Sequence, residues 1–581
     1  MTSSSLARCI VGTALTVLLA AAPIAVSAQP NPANDASGMT AAGSYLAARH
    51  ASQMRDAVKA AEYYRDALKR DPKNPDLLNR AFLSLVIGGE IKSSVHFAER
   101  VLRADKNDRI SRLVLGVHAL KEKRYRTARR DLTRSVRGPI TDLTGTLLAA
   151  WSLEGERRSR SAVRLIDRLS GPDWYAIFKD LHAGMILDLG RHEKDAGKRL
   201  AQAYKLDPSA LRVVEAYGSW LSRNTSPAEA IKVFEAFNAK LPNHPLIMAA
   251  MKRLKAGKKL PLVVKSAQAG AAEALYGLGA SLGRRGGEDL GLVYLQLALY
   301  LEPHHALALL SIADLYDTIK KPKLALEAYE RVPADSPLHR NAAIQMASDL
   351  DALDRTAEAK AKLNAVLKEN PNDVEAIMAL GNLLRAHKEF AKCGSVYSKA
   401  IATLKDPDKS NWVMFYFRGI CYERSHEWPK AEADFKEALK LFPDQPHVLN
   451  YLGYSWIDKG VHLDEGMAMI KKAVQQRPDD GYIVDSLGWA YYKLGNYAEA
   501  VKHLQHAIEL KPEDPTINDH YGDALWRVGR KLDAHYQWIH ARDMKPDPDE
   551  LTKILAKLKH GLPEEQSSQA TAPKKKPGDG G

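Results

Sequence analysis

A 34-residue spacing of small residues constrains the fold of this chain more than any other feature. Counted from Gly481 as position 1, positions 8, 20, 27 and 32 hold Gly488, Ala500, Ala507 and Pro512, and 34 residues later Gly522, Ala534, Ala541 and Pro546. Large apolar residues lie at positions 4, 7, 11 and 24, as Val484, Leu487, Tyr491 and Leu504. Small residues let two helices approach closely and large ones fill the gaps around them, so the pattern predicts a helix–turn–helix unit.

The ends of these predicted helices carry their own signals. Asn496 can cap the second helix, with Glu499 at the spacing of a capping box. Asp514 and Pro515 provide a cap and a first-turn proline for the helix that follows.

The same register runs through most of the chain and predicts about 14 repeats. Position 8 falls at Ala48, Phe82, Gly116, Ala150, Gly184, Gly218, Gly279, Ala313, Ala347, Gly381, Gly419, Gly453, Gly488 and Gly522. The spacing between Gly218 and Gly279 is 61 residues, which is 27 more than one period. Within this interruption we expect a helix over 245–254 and an extended segment over 255–270, acting either as a hinge or as a strand that docks on the array.

The first 28 residues have the pattern of a secretory signal peptide. Arg8 precedes an apolar run over 10–22, and the small residues Val26, Ser27 and Ala28 follow it. This arrangement predicts cleavage after Ala28 and export to the periplasm as a soluble protein. The apolar run is short for an uncleaved membrane anchor, and Cys9 precedes the run, so a lipoprotein is not expected.

The predicted organisation therefore has seven parts. They are a signal peptide (1–28), a linker (29–38), a basic N-terminal array (39–242), an insertion or hinge (243–272), a C-terminal array (273–546), a capping helix (547–563) and a disordered tail (564–581).

Charge is distributed unevenly between the two predicted arrays. Residues 29–265 contain 43 Lys and Arg against 25 Asp and Glu, whereas residues 266–581 contain 40 against 45. The densest basic stretch, 103–168, is either a solvated outer helix face or a steering surface for an acidic protein, an anionic lipid or a polysaccharide. No recognition motif accompanies the charge, so nucleic acid is not an expected partner.

Signals for chemistry are weak. The sequence has no Gly-rich phosphate loop, no nucleophile elbow and no paired metal-ligand motif, and the repeat accounts for almost every residue. His503 and His506 lie three residues apart without further ligands nearby in the sequence. Cys393 occupies the small position 20, where a buried thiol is expected, and a disulfide to Cys421 remains open. We predict no enzyme, no cofactor and no metal.

The repeat resembles the tetratricopeptide repeat (TPR), whose period is 34 residues. This resemblance implies an all-α fold, a right-handed superhelical solenoid interrupted near 243–272, in which the first helix of each repeat lines a concave groove. Positions 2, 5, 9 and 12 share the groove side of that helix. In the later repeats aromatic residues alternate there with polar ones, a composition that suits an extended peptide. The predicted groove residues are Asn382, Arg385, Tyr416, Asn450, Tyr454, Tyr482, Asp485, Trp489, Tyr492, Asp519, Asp523 and Trp526.

The segment 412–546 is more distinctive than a generic repeat. Its strings VLNYLGYSWIDKG and DGYIVDSLGWAYYKLG resemble exported bacterial TPR adaptor proteins of the LbcA type. Such proteins bind a carboxyl-terminal processing protease and present cell-wall hydrolases to it. They are lipid-anchored through a cysteine at the signal-peptide junction, where this chain has Ala28 and Gln29.

Two functions follow from the sequence. The first is a non-catalytic periplasmic adaptor that binds protein partners or extended peptides in its groove and presents substrates to a protease. The alternative is a structural scaffold in envelope assembly or polysaccharide export, in which the basic array contacts an anionic polymer or lipid.

Overall fold

The computed structural model of the protein describes residues 40–134, 138–283 and 286–563. Within these residues the chain forms thirty α-helices and no β-strand, as the repeat pattern predicts. The predicted signal peptide, the linker and the tail over 564–581 lie outside the described residues.

Thirteen consecutive helix pairs pack together, with α11, α12 and α13 between the fifth and sixth of these pairs and α30 at the end. The first fifteen helices are α1 (Ala41–Gln53), α2 (Ala57–Arg70), α3 (Pro75–Ile87), α4 (Ile91–Ala104), α5 (Arg109–Lys121), α6 (Tyr125–Arg134), α7 (Pro139–Gly155), α8 (Ser159–Asp167), α9 (Tyr175–Leu189), α10 (Glu193–Leu206), α11 (Leu211–Asn224), α12 (Pro227–Lys240), α13 (Pro245–Lys255), α14 (Ala267–Leu282) and α15 (Glu288–Leu301).

The second half continues in the same order. It contains α16 (Ala306–Thr318), α17 (Pro322–Glu330), α18 (His339–Ala352), α19 (Thr356–Glu369), α20 (Val374–Ala386), α21 (Phe390–Ile401), α22 (Trp412–Arg424), α23 (Trp428–Leu441), α24 (Pro446–Asp458), α25 (Leu463–Gln476), α26 (Gly481–Lys493), α27 (Tyr497–Leu510), α28 (Pro515–Arg527), α29 (Lys531–Asp543) and α30 (Pro548–His560).

Close approach of paired helices explains the small residues of the repeat. A Cβ added to Gly488 in α26 would lie 2.5 Å from Cγ of Leu504 in α27. The predicted caps are also confirmed, since the Asn496 side chain accepts a hydrogen bond from the backbone N–H of Glu499. Likewise Asp514 accepts from two backbone N–H groups at the start of α28, where proline occupies the first turn.

The described chain divides into two compact units that differ from the predicted arrays. The first unit contains the described residues up to Thr225 together with Pro261–Pro303, and the second contains Ser226–Leu260 and the described residues from His304 onward. The prediction assigned α12 to the N-terminal array and residues 273–303 to the C-terminal array. Both assignments change, because the α14–α15 hairpin packs against the earlier helices and α12 belongs to the second unit.

The interruption also differs from the prediction in detail. The expected helix over 245–254 is present as α13. The expected extended segment forms no strand, and its last residues are already helical, because the Ser266 side chain accepts a hydrogen bond from the backbone N–H of Ala269 and caps α14. In the first unit the Ser219 hydroxyl donates a hydrogen bond to the carbonyl oxygen of Pro261 (2.5 Å). This bond holds Pro261 against α11.

The α14–α15 hairpin fills the inner wall of the first unit. Helix α15 packs against α3, α4 and α5, and α14 packs against α7 and α9, so the hairpin contacts the first helices of four repeats. Both helices bury residues around most of their circumference, including Ala271, Leu275, Leu295 and Leu299. A helix that is apolar on all sides is stable only when it is enclosed, and here the earlier repeats enclose it.

Candidate protein-binding surface

The twelve predicted groove residues all lie on first helices of the second unit, namely α20, α22, α24, α26 and α28. First helices of neighbouring repeats pack side by side, with α20 between α18 and α22 and with α26 between α24 and α28. Residues at equivalent positions therefore follow one another along a single wall. The structure separates them into five groups by what each side chain contacts, and Asp519 belongs to two of these groups.

Position 5 forms the seam between adjacent repeats. In each case its side chain contacts a residue about 35 positions downstream, on the next helix of the wall. The partners are Tyr451 for Tyr416 (ring centroids 6.1 Å apart), Ser486 for Asn450 (3.0 Å), His520 for Asp485 (3.0 Å) and Lys557 for Asp519 (2.7 Å). The predicted ligand role of position 5 is thus replaced by a structural one.

Asp485 shows the seam most clearly. Its carboxylate is buried and pairs with Nδ1 of His520. Burial alone would lower the pKa of His520, but the charge and the hydrogen bond of Asp485 outweigh it and raise that pKa above its ordinary value. The imidazolium form is therefore favoured, and Asp485 is not available to a ligand.

Trp489 lies between two other rings. Its ring stacks on Tyr492 (4.6 Å between centroids, 9° between planes) and on His520 (3.9 Å, 16°). Both faces of the indole are therefore covered within the protein. Trp489 and Tyr492 are half-buried, so the edges of the stack, rather than a flat indole face, are presented to a partner.

The last repeat is closed by the capping helix α30. Lys557 of α30 forms ion pairs with Asp519 (2.7 Å) and Asp523 (2.8 Å). Asp523 is buried and also accepts a hydrogen bond from the indole N–H of Trp538 (2.9 Å). Trp526 packs against Gly561, at the end of α30. The predicted groove residues of this repeat are Asp519, Asp523 and Trp526. All three contact the predicted capping helix or the residue after it.

Three residues remain along the wall ahead of the stack. Asn382 is exposed, and its amide oxygen accepts a hydrogen bond from Arg385 (3.4 Å). The Arg385 guanidinium lies 5.3 Å from the centre of the Phe417 ring, and its buried Nε has no hydrogen-bond partner among the described residues. Tyr454 is half-buried. Burial is the main cause that raises the pKa of its hydroxyl, and three nearby carboxylates raise it further.

Tyr482 lies away from this wall. It is 55% exposed at the start of α26, where the Lys511 ammonium is 5.4 Å from its ring centre. The two side chains line a shallow cavity of about 430 Å³ formed with the turn before α26. Tyr482 therefore belongs to the turn edge of the unit rather than to the groove.

In the first unit most residues at position 9 are buried. Position 9 of the six repeats before the hairpin holds Val117, Trp151, Met185 and Ser219, which are buried, Leu83, which is half-buried, and Arg49, which is exposed. The hairpin covers this wall through polar contacts as well as apolar ones. These are Tyr294 to Thr144 (3.1 Å), Tyr300 to His118 (2.9 Å), Lys121 to the carbonyl of Leu301 (2.9 Å) and Gln268 to the carbonyl of Leu120 (3.1 Å).

Sequence reasoning missed this occupant, although a signal was present. The predicted repeats treat residues 267–301 as one more helix pair. The α15 sequence EDLGLVYLQLALYL is apolar on every face, unlike the second helices of the other repeats. That pattern indicates a helix buried on both sides.

An ion pair and a cavity lie where α14 meets α9 and α11. Nε of Arg212 donates to the carboxylate of Glu273 (3.0 Å), and NH1 donates to Glu215 (2.5 Å). Next to this ion pair is a cavity of about 510 Å³. Its lining includes Arg212, Glu273, Phe178 and His182. His182 accepts a hydrogen bond at Nδ1 from the indole N–H of Trp151 (3.2 Å).

A disulfide joins Cys393 of α21 to Cys421 of α22, with Cα atoms 6.0 Å apart. The bond settles the pairing that the sequence left open. No group of three or more His, Cys, Asp or Glu side chains in the described residues is arranged to hold a metal ion. None of the described helices combines the length and the apolar character that a membrane crossing requires.

Two segments of the second unit match families of known repeats. Residues 488–529 match the TPR repeat family and residues 344–406 match the tetratricopeptide repeat family. The TPR repeat-containing protein PA4667 of Pseudomonas aeruginosa is 33% identical over 92 residues, which is 16% of each chain. BBSome complex member BBS4 of Bos taurus is 34% identical over 124 residues, 21% of this chain and 22% of that protein. The chain therefore covers less than a quarter of the length of either relative.

Two solved structures are similar to this chain at low sequence identity. A tetratricopeptide repeat protein from Parabacteroides merdae is 15% identical with a TM-score of 0.37, covering 43% of this chain and 96% of that chain. The APC/C hetero-tetramer Cut9–Hcn1 is 13% identical with a TM-score of 0.36, covering 90% and 97%. The two matched segments, 344–406 and 488–529, are therefore tetratricopeptide repeats, in agreement with the 34-residue period of the sequence.

Proposed function

We propose that the chain is a non-catalytic scaffold that binds an extended segment of a partner protein along the first helices of its second unit. One observation carries this proposal. Position 9 is buried in four of the six repeats of the first unit that precede the hairpin, whereas in the second unit Asn382 is exposed and Tyr454 and Trp489 are half-buried. TPR proteins generally act as protein-binding scaffolds, and this wall is the surface on which such binding would occur.

The chemistry of the wall suits a peptide backbone with neutral or basic side chains. Asn382 offers an exposed amide, and the partly exposed guanidinium of Arg385 lies beside it. The edges of the aromatic stack supply contact area at low entropic cost. Around Tyr454 the carboxylates of Asp458, Asp485 and Glu423 all raise its pKa, which indicates a locally negative potential.

Export and protease presentation are the finer parts of the proposal. The signal-peptide pattern of the first 28 residues supports a periplasmic location. The Cys393–Cys421 disulfide supports it independently, because such bonds persist in oxidising compartments. The resemblance of segment 412–546 to LbcA-type adaptors supports a carboxyl-terminal processing protease and cell-wall hydrolases as partners.

A reconstituted degradation assay tests the proposal. The purified chain is mixed with a carboxyl-terminal processing protease and a cell-wall hydrolase, and the rate of hydrolase loss is measured. We expect the full chain to accelerate degradation and the double variant Asn382→Ala/Arg385→Ala to slow it at least tenfold. A matched variant on second helices of the same unit, Lys368→Ala/Lys399→Ala, should retain full activity.

Two outcomes would contradict the proposal at different levels. If the chain binds neither protein and changes no rate, the protease partnership is wrong. If it accelerates degradation equally well with Asn382 and Arg385 replaced, the partner binds elsewhere. Thermal unfolding followed by circular dichroism verifies that each variant is folded.

A further inference from the structure

Basic residues recur in register on four consecutive second helices of the first unit. Positions 18, 22 and 26 of these repeats lie on one face of the helix, about 6 Å apart along its axis. They hold Lys92, His96 and Arg100 on α4, Arg126, Arg130 and Arg134 on α6, Arg160, Arg164 and Arg168 at α8 and its cap, and Lys194 and Lys198 on α10. We call these eleven residues the basic rows.

The basic rows are open to solvent. Ten of the eleven are exposed and Arg100 is half-buried. Within the described residues, Arg126, Arg134, Arg160 and Arg168 form no ion pair. The neighbouring Arg129, outside the rows, is paired with Glu156 (3.2 Å). Within the rows Arg130 pairs with Asp131 (3.6 Å) and Lys198 with Asp195 (4.0 Å), so the chain itself neutralises only part of their charge.

Exposed carboxylates remain on α4, α8 and α10, but three carboxylates near α6 and α8 are buried or already paired. Asp131 is buried and pairs with Arg112 (3.4 Å), Glu154 is buried, and Glu156 pairs with Arg129. Burial raises the pKa of Glu154. The surface around α6 and α8 is thus strongly positive, and the acidic residues of the same stretch do little to reduce its potential.

The rows lack the features of other basic binding surfaces. No large apolar side chain is exposed among the described residues of α4, α6 and α8, although Trp174 before α9 and Leu206 at the end of α10 are exposed. A specific protein interface normally has an aromatic or apolar centre, and a helix that lies on a membrane normally inserts apolar residues. A surface of charge alone is better matched to a flexible chain that carries many negative charges.

The repeat itself does not require these charges. In α19 of the second unit the same three positions hold Ala357, Ala361 and Ala365. Helix packing is therefore possible without basic residues there, and their recurrence over four repeats needs a separate explanation.

We propose that the basic rows bind an acidic polysaccharide, a linear polymer bearing carboxylate groups, across the second helices α4, α6, α8 and α10. Seven of the eleven residues are arginine, whose planar guanidinium pairs with a carboxylate through two parallel hydrogen bonds. Binding releases condensed counterions from the polymer, so affinity falls steeply as salt rises. The choice of a polysaccharide over nucleic acid rests on the proposed export, whereas the rows themselves do not depend on it.

Binding of the full chain to polygalacturonate, measured by fluorescence anisotropy from 50 to 500 mM NaCl, tests this proposal. We expect binding at low salt that weakens at least tenfold over this range. The variant Arg126→Glu/Arg130→Glu/Arg160→Glu/Arg164→Glu should bind at least tenfold more weakly at every salt concentration. The control variant Lys323→Glu/Lys368→Glu/Lys399→Glu/Lys405→Glu changes net charge equally, in the second unit, and should change affinity less than threefold.

Each alternative result overturns the proposal. Equal loss in the control variant would show attraction by net charge alone. Tighter binding to double-stranded DNA, or to vesicles of phosphatidylglycerol, would show a different occupant. No binding at 50 mM NaCl would show that the rows are only a solvated face. The variant Asn382→Ala/Arg385→Ala should bind polygalacturonate normally, which separates this test from that of the protein-binding wall.

Discussion

The two units place the same pair of residues in opposite surroundings. In the first unit Trp151 at position 9 contacts His182 at position 6 of the next repeat, and in the second unit Trp489 contacts His520 at the same two positions. Trp151 is fully buried under α14, whereas Trp489 is half-buried on an open wall. One repeat template therefore yields either a sealed wall or an open one, depending on whether the chain supplies its own occupant.

The pKa values of these two histidines are shifted in opposite directions. Position 5 of the preceding repeat is Leu147 in the first unit and Asp485 in the second. Burial lowers the pKa of His182 to about 4, and the charge of Glu273 offsets this only in part. For His520 burial acts in the same direction, but the adjacent Asp485 carboxylate raises the pKa above its ordinary value. The seam residue at position 5 thus contributes most to raising the pKa of His520, to which Asp519 and Asp523 also contribute.

The largest expected effect on stability comes from disrupting the ion pair between Arg212 and Glu273, which joins α14 to α11. Glu273→Gln removes one of the two carboxylates that pair with Arg212, and since Glu215 remains, we expect a loss of about 3 kcal/mol in the free energy of unfolding, at the low end for breaking a buried pair. Asp289→Asn, in the exposed pair with Arg55, is the matched control and should cost at most about 1 kcal/mol. Urea unfolding of both variants measures the difference. Equal effects would show that the ion pair does not anchor the hairpin.

Opposite responses to pH are the next expectation. Since the folded-state pKa of His182 is lowered to about 4, the unfolded state binds more protons below pH 6.5, and the first unit loses on the order of 2–3 kcal/mol as pH falls from 7 to 4. Since the pKa of His520 is raised, its contribution to the second unit is complete below pH 6.5 and is lost as pH rises through the folded-state value. Backbone hydrogen exchange of α9 and α28 at several pH values reports each unit separately.

A substitution at the seam sharpens the same comparison. Asp485→Leu gives the second unit the seam residue of the first, so we expect the pKa of His520 to fall below 6.5 while that of His182 stays unchanged. Exchange of the imidazole C2 proton, followed by mass spectrometry, measures both values in one sample. A pKa of His520 that remains raised would show that other charges, such as those of Asp519 and Asp523, control it.

The smallest expected effect concerns two glycines of α14. A Cβ at Gly270 would overlap the enclosed ring of Trp151, so Gly270→Ala should lower the free energy of unfolding by about 1–3 kcal/mol. A Cβ at Gly277 would lie at an ordinary 3.5 Å from Phe178, so Gly277→Ala should be neutral or stabilising by up to about 1 kcal/mol. If both substitutions stabilise the protein, α14 does not pack against Trp151 as described.

The sequence predicts much of this fold because the repeat is local. Caps such as Asn496 and close contacts such as Gly488 with Leu504 depend on residues within one helix pair. The seam is harder to predict. Asp485 pairs with His520, which is 35 residues later in the chain, and no local pattern in the sequence indicates this contact. The destination of α14 and α15 is also not local, since it depends on contacts with helices up to about 200 residues earlier.

Site-specific photocrosslinking tests the central claim most directly. A benzoylphenylalanine side chain is introduced at position 9 in each unit, at Leu83 on α3 and at Asn382 on α20, and the full chain is irradiated in cells that export it. We predict that position 83 crosslinks within the chain to residues of α15, whereas position 382 crosslinks to another protein. Capture of a second protein at position 83, with none at position 382, would contradict the account.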